Sequence, residues 1–220
     1  MIETITLRNL LPLVFRGMED SIKIKSSEIW QENSVVLSHN CRVCIKADCG
    51  SGKSSLLSFV YGNRSDYSGN ILFNEKNIRT FSVEQWCETR KRHIALLPQE
   101  MRLFPELTVA QNIELKNSLT NHKNTAQIKE LLDRMGIVDK YDKPAGLLSI
   151  GQQQRVALIR AICQPFDFIF LDEPVSHLDV QNNKIAANII EEEASMQNAG
   201  IVTTSVGNHL LIENAKFIAL

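Results

Sequence analysis

The chain has 220 residues, 44% of them apolar, and 24 Lys and Arg set against 25 Asp and Glu leave a formal net charge of -1. That length holds one sizeable core, the apolar fraction excludes a disordered chain, and the balanced charge argues against a dedicated nucleic-acid binder. Cys41, Cys44, Cys49, Cys87 and Cys163 include a single C-x-x-C pair. Two such ligands without a second pair do not make a zinc site, so the thiols read as free groups in a reducing compartment. The start carries an early acid, Glu3, and no basic leader. No segment reaches the roughly 18 apolar residues of a membrane span, so a soluble cytoplasmic chain is expected.

In chain order, residues 2–7 alternate as a strand, and 22–29 and 34–38 read as further short strands. Residues 42–47 form a strand that runs into a Gly-rich stretch, and a helix opens at Lys53 with Leu56, Leu57 and Val60 on its apolar face. Ser68-Gly69-Asn70 reads as a turn before a strand at 71–73. The centre, about 80–145, is more polar and mainly helical. Within it, 94–97 is a short buried strand stopped by Pro98, Thr108 caps a helix through Lys116, and a helix over 125–135 ends at Gly136. A helix spans 152–163. The nearly continuous apolar run 166–171 has the pattern of a central parallel strand. A polar helix at 180–198 and strands at 200–204 and 215–220 follow. The alternation predicts one α/β core with an inserted helical lobe.

Two motifs carry chemistry. Lys46-Ala47-Asp48-Cys49-Gly50-Ser51-Gly52-Lys53-Ser54-Ser55 matches G-x-x-x-x-G-K-[ST] except that Ala47 replaces the first glycine. A loop of this kind wraps phosphate oxygens with backbone N–H groups. Gly50 and Gly52 allow the tight path, and the start of the following helix adds its positive dipole end. The candidates for holding a nucleotide are therefore Cys49, Gly50, Ser51, Gly52, Lys53, Ser54 and Ser55, with Lys53 reaching the β- and γ-phosphates and Ser54 holding Mg²⁺. The second motif is Asp172-Glu173-Pro174 at the end of the buried run. There Asp172 fits a Mg²⁺ ligand, direct or through water, and Glu173 fits the base or water-polarising group.

Between them lies Leu147-Leu148-Ser149-Ile150-Gly151-Gln152-Gln153-Gln154-Arg155-Val156-Ala157, with Ser176-His177-Leu178-Asp179 after the acidic pair. This order of motifs resembles the ATP-binding cassette (ABC) ATPase family over nearly the whole chain, and the short chain with its LFPELTV segment resembles the cassettes of lipoprotein-release, macrolide-export and cell-division complexes. The resemblance implies a P-loop nucleoside triphosphatase core, an N-terminal antiparallel β portion, and a helical subdomain at about 100–160 within one domain over 1–220. It implies that two cassettes pair head to tail around two ATP molecules. Ser149, Gly151 and Gln152 then belong to the signature that meets the other subunit's ATP, and Asp179 links the two sites. Gln99 corresponds to the residue that approaches Mg²⁺ and the attacking water, and Phe15 is the nearest aromatic for adenine. Catalysis would fall to Glu173, Gln99 and Lys53, and Mg²⁺ binding to Ser54, Gln99 and Asp172.

The implied partners are a second cassette and a polytopic membrane permease that docks near Arg102–Thr108, on the cytoplasmic face of a membrane. The activity implied is Mg²⁺-dependent ATP hydrolysis that drives transport, with a regulatory switch in a non-transport membrane complex as the alternative. Three positions depart from the family pattern. They are Ala47, Ile150 in place of a glycine, and Val206, or Ser205 one residue earlier, where a histidine usually follows the penultimate strand. The last departure is expected to slow hydrolysis more than binding. His209, three residues further on, would have to reach back to replace that histidine.

Overall fold

The computed structural model describes residues 1–18, 20–31, 34–48 and 50–220. The elements are β1 (Thr4–Pro12), α1 (Ile22–Lys25), β2 (Ser34–Ser38), β3 (Arg42–Lys46), α2 (Lys53–Val60), β4 (Tyr67–Phe73), β5 (Lys76–Asn77), α3 (Val83–Arg92), β6 (Ile94–Leu97), α4 (Val109–Asn117), α5 (Thr125–Arg134), α6 (Ile150–Ile162), β7 (Phe168–Asp172), α7 (Val180–Met196), β8 (Gly200–Ser205) and β9 (Lys216–Ala219). An antiparallel sheet has the order β2-β1-β4-β5, and a parallel sheet has the order β6-β7-β8-β3-β9. All residues of β7 and β8 are buried, as their apolar runs require of strands covered on both faces.

Two apolar clusters fill the layers. One joins α2 and the antiparallel sheet to one face of the parallel sheet through Phe59, Ile71, Phe168 and Phe170. The other joins α4 to α7 to the opposite face through Ile113, Leu132, Ile159, Ile169 and Ile190. Of the cysteines, Cys41, Cys44, Cys87 and Cys163 are free. Burial pushes the Cys41 thiol up to about 11 and the Cys163 thiol up to about 12, which disfavours the thiolate of each.

The expected strand at 22–29 is instead the short helix α1 and a turn. Ser27 Oγ accepts from the backbone N–H of Ile29 at 3.2 Å and Trp30 at 2.9 Å, so a local side-chain bond wins over a sheet ladder. The expected turn at Ser68–Asn70 lies inside β4. There the register to β1 shifts between Arg8 and Leu11, and Gly69 takes φ +79°, where a Cβ would stand 2.1 Å from Asn9 O. This is a bulge, and the glycine belongs to a close backbone approach rather than a chain reversal. The expected 152–163 helix begins earlier, at Ile150. Ser149 Oγ accepts from Gln152 N and Gln152 Oε1 accepts from Ser149 N, a reciprocal cap.

The loop after α4 is tied to α7 by a buried ion pair. Lys123 Nζ lies 2.8 Å from both carboxylate oxygens of Glu193, and each side chain is only 8% exposed. Asn117 fixes the Lys123 backbone from both sides, at 2.9 Å each. Lys123→Ala would strand the Glu193 carboxylate in the interior. We expect it to lower the unfolding free energy in urea by about 3–5 kcal/mol, and Lys123→Met with Glu193→Met to recover most of that loss. A single variant as stable as the wild type would show that solvent already reaches the pair.

Candidate functional site

The parallel ladder brings two loops to one edge. Ile45 and Lys46 of β3 face Thr204 and Ser205 of β8, and Asp172 of β7 faces Thr204 from the other side. The chain therefore leaves β3 into the Gly-rich loop beside the point where it leaves β7 into the acidic pair.

In the Gly-rich loop, Gly50 has φ +79° and Gly52 has φ +102°, conformations that favour glycine. Ala47 has no positive φ, so its methyl group is accommodated. Trp30 forms the floor. Its indole N–H donates to Ser51 O at 3.0 Å, and a Cβ on Gly52 would lie 3.2 Å from its ring and 3.5 Å from Phe15. Lys53 opens α2 and is 6% exposed. Its ammonium donates to Ala47 O at 3.1 Å and Asp48 O at 3.0 Å, and stands 3.9 Å from Glu173 Oε1. Ser51 Oγ is buried without a partner among the described residues. Ser55 Oγ accepts from Arg64 at 2.9 Å. The expectation for Cys49 lies outside the described residues.

Two adjoining cavities receive these groups. One, of about 390 Å³, is lined by Phe15, Gly50, Gly52, Lys53, Ser54, Ser55, Gln99 and Glu173 together with Val14. The other, of about 180 Å³, includes Ser54, Gln99 and Asp172 in its wall. Glu173 has φ +47°. Its backbone is held by two groups, with Glu173 N donating to Thr204 Oγ1 at 3.1 Å and Gln154 Nε2 donating to Glu173 O at 3.2 Å. Thr204 Oγ1 also donates to Asp172 Oδ1 at 2.6 Å. Gln154 further donates to Ser176 Oγ and accepts from His177 N, so one buried amide organises the loop after β7.

Gln99 is followed by two left-handed residues, Met101 at φ +56° and Arg102 at φ +51°. Non-glycine residues hold such angles only when surroundings fix them. Arg160 of α6 does this, donating to Met101 O and, at 2.9 Å, to Arg102 O. Further along, the buried Asn112 bonds Phe104 N and O and the carbonyls of Leu107 and Thr108, leaving Leu103 packed inward and the Phe104 ring 54% exposed.

Ser149, Gly151, Gln152 and Asp179 do not line either cavity. Ser149 and Gln152 cap α6. Gly151 allows α6 to approach the loop after β7, since a Cβ there would lie 2.9 Å from His177 O. Asp179 caps α7 by accepting from Asn182 N at 2.8 Å, and that backbone bond, helped by the Asn182 side chain, holds its carboxyl below the usual range. Ile150 and Val206 are exposed at 54% and 46%. His209 does not reach back. Its ring meets Phe217 edge-on, 5.3 Å away.

Sequence reasoning missed Trp30, Gln154, Arg160 and Thr204. A signal existed for two of them, because Gln154 interrupts the apolar face of α6 and Thr204 lies inside a fully buried strand.

The family model for the ABC transporter matches residues 30–176. The chain is 38% identical over 155 residues to the thiamine import ATP-binding protein ThiQ of Haemophilus ducreyi, covering 68% of this chain and 70% of that protein. It is 37% identical over 163 residues to the Fe(3+) ions import ATP-binding protein FbpC of Fusobacterium nucleatum, covering 73% of this chain but only 42% of that protein. A dimeric bacterial ABC transporter cassette superposes with a TM-score of 0.77 at 19% identity, covering 98% of this chain and 94% of that one, a likeness of fold. The chain belongs to the ABC transporter family, with the α/β fold of its ATPase cassettes.

The residues present fit a magnesium nucleotide. Among the described residues the Ser51 hydroxyl has no partner, and the buried Lys53 ammonium rests on two neutral carbonyls with the Glu173 carboxylate no nearer than 3.9 Å, so both can take a phosphate oxygen. Among the described residues no group of three or more His, Cys, Asp or Glu could hold a metal. The Asp172 carboxylate, the Ser54 hydroxyl and the Gln99 amide, which share a cavity wall, are instead what Mg²⁺ uses when phosphate oxygens and water complete its shell.

The clamp by Arg160 yields a direct test. Arg160→Met should free the loop and let trypsin cut after the exposed Arg102 roughly tenfold faster in the native protein, because cleavage follows the population of the open form. An unchanged rate at unchanged global stability would remove Arg160 as the restraint.

Proposed function

We propose that this chain binds ATP with Mg²⁺ and hydrolyses it as the energy-supplying subunit of a membrane transporter. The observation that carries the reading is the meeting of Lys53, Ser54, Gln99 and Glu173 in one cleft, with Asp172 in the adjoining wall. The backbone of the Gly-rich loop and Lys53 bind the β- and γ-phosphates, and Phe15 at the cleft mouth offers its ring to adenine. Ser54, Gln99 and Asp172 would hold Mg²⁺, which supplies charge neutralisation of the phosphate oxygens. Glu173 takes a proton from the attacking water, and Gln99 helps to orient that water.

The signature residues lie away from this cleft, so a single chain does not complete its own site. A second cassette placed head to tail brings Ser149, Gly151 and Gln152 to the γ-phosphate, with Asp179 at the junction. On this reading residues 1–220 act as one ATPase domain whose helical segment, about 100–160, moves as a lobe. The exposed Phe104 is the contact for a polytopic permease at the cytoplasmic face. Relatives bear names of both import and export systems, including the macrolide export protein MacB of Salmonella typhi, 30% identical over 165 residues. Among the described residues no helix is long and apolar enough to cross a membrane, so the permease would be another chain or another segment.

The exposed Val206 and a His209 ring turned to Phe217 favour a second reading, a slow switch in a membrane complex that ATP closes and hydrolysis resets. Glu173→Gln tests the shared chemistry. Turnover should fall at least about 100-fold while fluorescent ATP still binds with Mg²⁺, since removing a general base spares ground-state contacts. A variant that hydrolyses like the wild type would overturn the assignment of the base. Gentle solubilisation of native membranes should recover a polytopic protein with the tagged chain, and recovery of soluble partners alone would overturn the membrane assignment.

A further inference from the structure

Thr204 is fully buried in β8, between Ile45 of β3 and Asp172 of β7. A hydroxyl in such a position costs stability unless both its donor and its acceptor are used. Here the direction of each bond is fixed by chemistry. The carboxylate of Asp172 accepts the hydroxyl proton at 2.6 Å, and the Glu173 N–H donates to the same oxygen at 3.1 Å. One atom therefore restrains both acids. Its neighbours do not share this work, because Thr203 Oγ1 donates to Val43 O at 3.5 Å and Ser205 Oγ meets Cys44 Sγ at 3.7 Å.

The restraint on Glu173 matters because φ +47° is costly for a residue with a Cβ, of order 1–3 kcal/mol, and persists only where surrounding groups hold it. Gln154 holds the carbonyl and Thr204 holds the N–H. That turn of the backbone is what brings the carboxylate within 3.9 Å of the Lys53 ammonium.

We propose that Thr204 is a positioning residue, whose single hydroxyl sets the orientation of Asp172 toward the cation cavity and locks the strained backbone that aims Glu173. This rests on the ATPase reading above. Its consequence is specific: loss of the hydroxyl disturbs the chemical step and the cation requirement, while the nucleotide contacts of Lys53 and Phe15 stay as they are. The position is also adjacent to Ser205 and Val206, where the chain offers no imidazole, so alignment of the base depends on the groups that remain.

The test uses the full chain as Thr204→Val, which keeps the shape, Thr204→Ser, which keeps the hydroxyl, and Thr203→Val as the neighbouring control. Thr204→Ala replaces the valine variant if the latter is not recovered folded. For Thr204→Val we expect kcat to fall about 10- to 100-fold, with KM for ATP within about threefold. The magnesium concentration for half-maximal binding of a non-hydrolysable ATP analogue should rise at least about fivefold, a readout that needs no turnover. Thr204→Ser should restore both, and Thr203→Val should change neither.

A Thr204→Val protein with the wild-type kcat and magnesium requirement overturns the proposal, as does a serine variant as impaired as the valine one. A wild-type chain that binds no nucleotide in any condition overturns the ATPase reading, and this proposal with it.

Discussion

The register of three parallel strands governs the rest of the site. β8 lies between β3 and β7, with Thr204 level with both Ile45 and Asp172. Strands in a parallel ladder are about 4.8 Å apart, so this alignment holds the loop after β3 close to the acids after β7. A shift of one residue in β8 would turn Thr204 away and present Thr203 or Ser205, whose hydroxyls now bond elsewhere. The buried apolar side chains of β7 and β8 prevent that shift, because each residue of both strands is packed on its face. Core packing and site geometry are in this sense the same constraint.

α6 carries that constraint outward. Its N-terminus bears Ser149 and Gly151, its first buried polar residue, Gln154, grips the loop after β7, and Arg160 near its end grips the loop after β6. The two loops that hold Glu173 and Gln99 are thus both fastened to one rigid rod, and the end of that rod is the signature. Movement of α6 would be felt by Glu173 and by Gln99 together. The buried Lys123–Glu193 pair and the Arg134–Glu192 pair, with bonds of 2.7 and 2.8 Å, tie the neighbouring helical segment to α7.

What could be read in the sequence was local. The Gly-rich loop, the acidic pair and the strand at 94–97 are written in contiguous residues, and their context of strand before loop and helix after it needs no knowledge of packing. The four reciprocal helix caps among the described residues are equally local, each a Ser, Thr or Asn followed three residues later by Gln, though only Thr108 was expected as a cap. The groups that were missed act across the fold. Trp30 bonds a residue 21 positions away, Thr204 one 31 away and Arg160 one 58 away. The strand expected at 22–29 failed for the opposite reason. There the Ser27 hydroxyl offered the backbone a nearer partner than a sheet would.

On the proposed reading, the signature serine serves both structure and ligand. Its oxygen accepts from Gln152 N, which accounts for its place as the cap of α6, but an acceptor bond leaves the hydroxyl proton uncommitted. Ser149 is exposed, and on the proposed reading that proton is free to meet a phosphate of the partner's nucleotide without undoing the cap. Lys53 differs. Its ammonium rests on two neutral carbonyls, and on the same reading nucleotide would displace those bonds, because a phosphate oxygen is charged and a carbonyl is not. The chain thus keeps its buried cation satisfied until a stronger acceptor arrives, while Ser149, exposed on the surface that would face a second cassette, needs no such shelter.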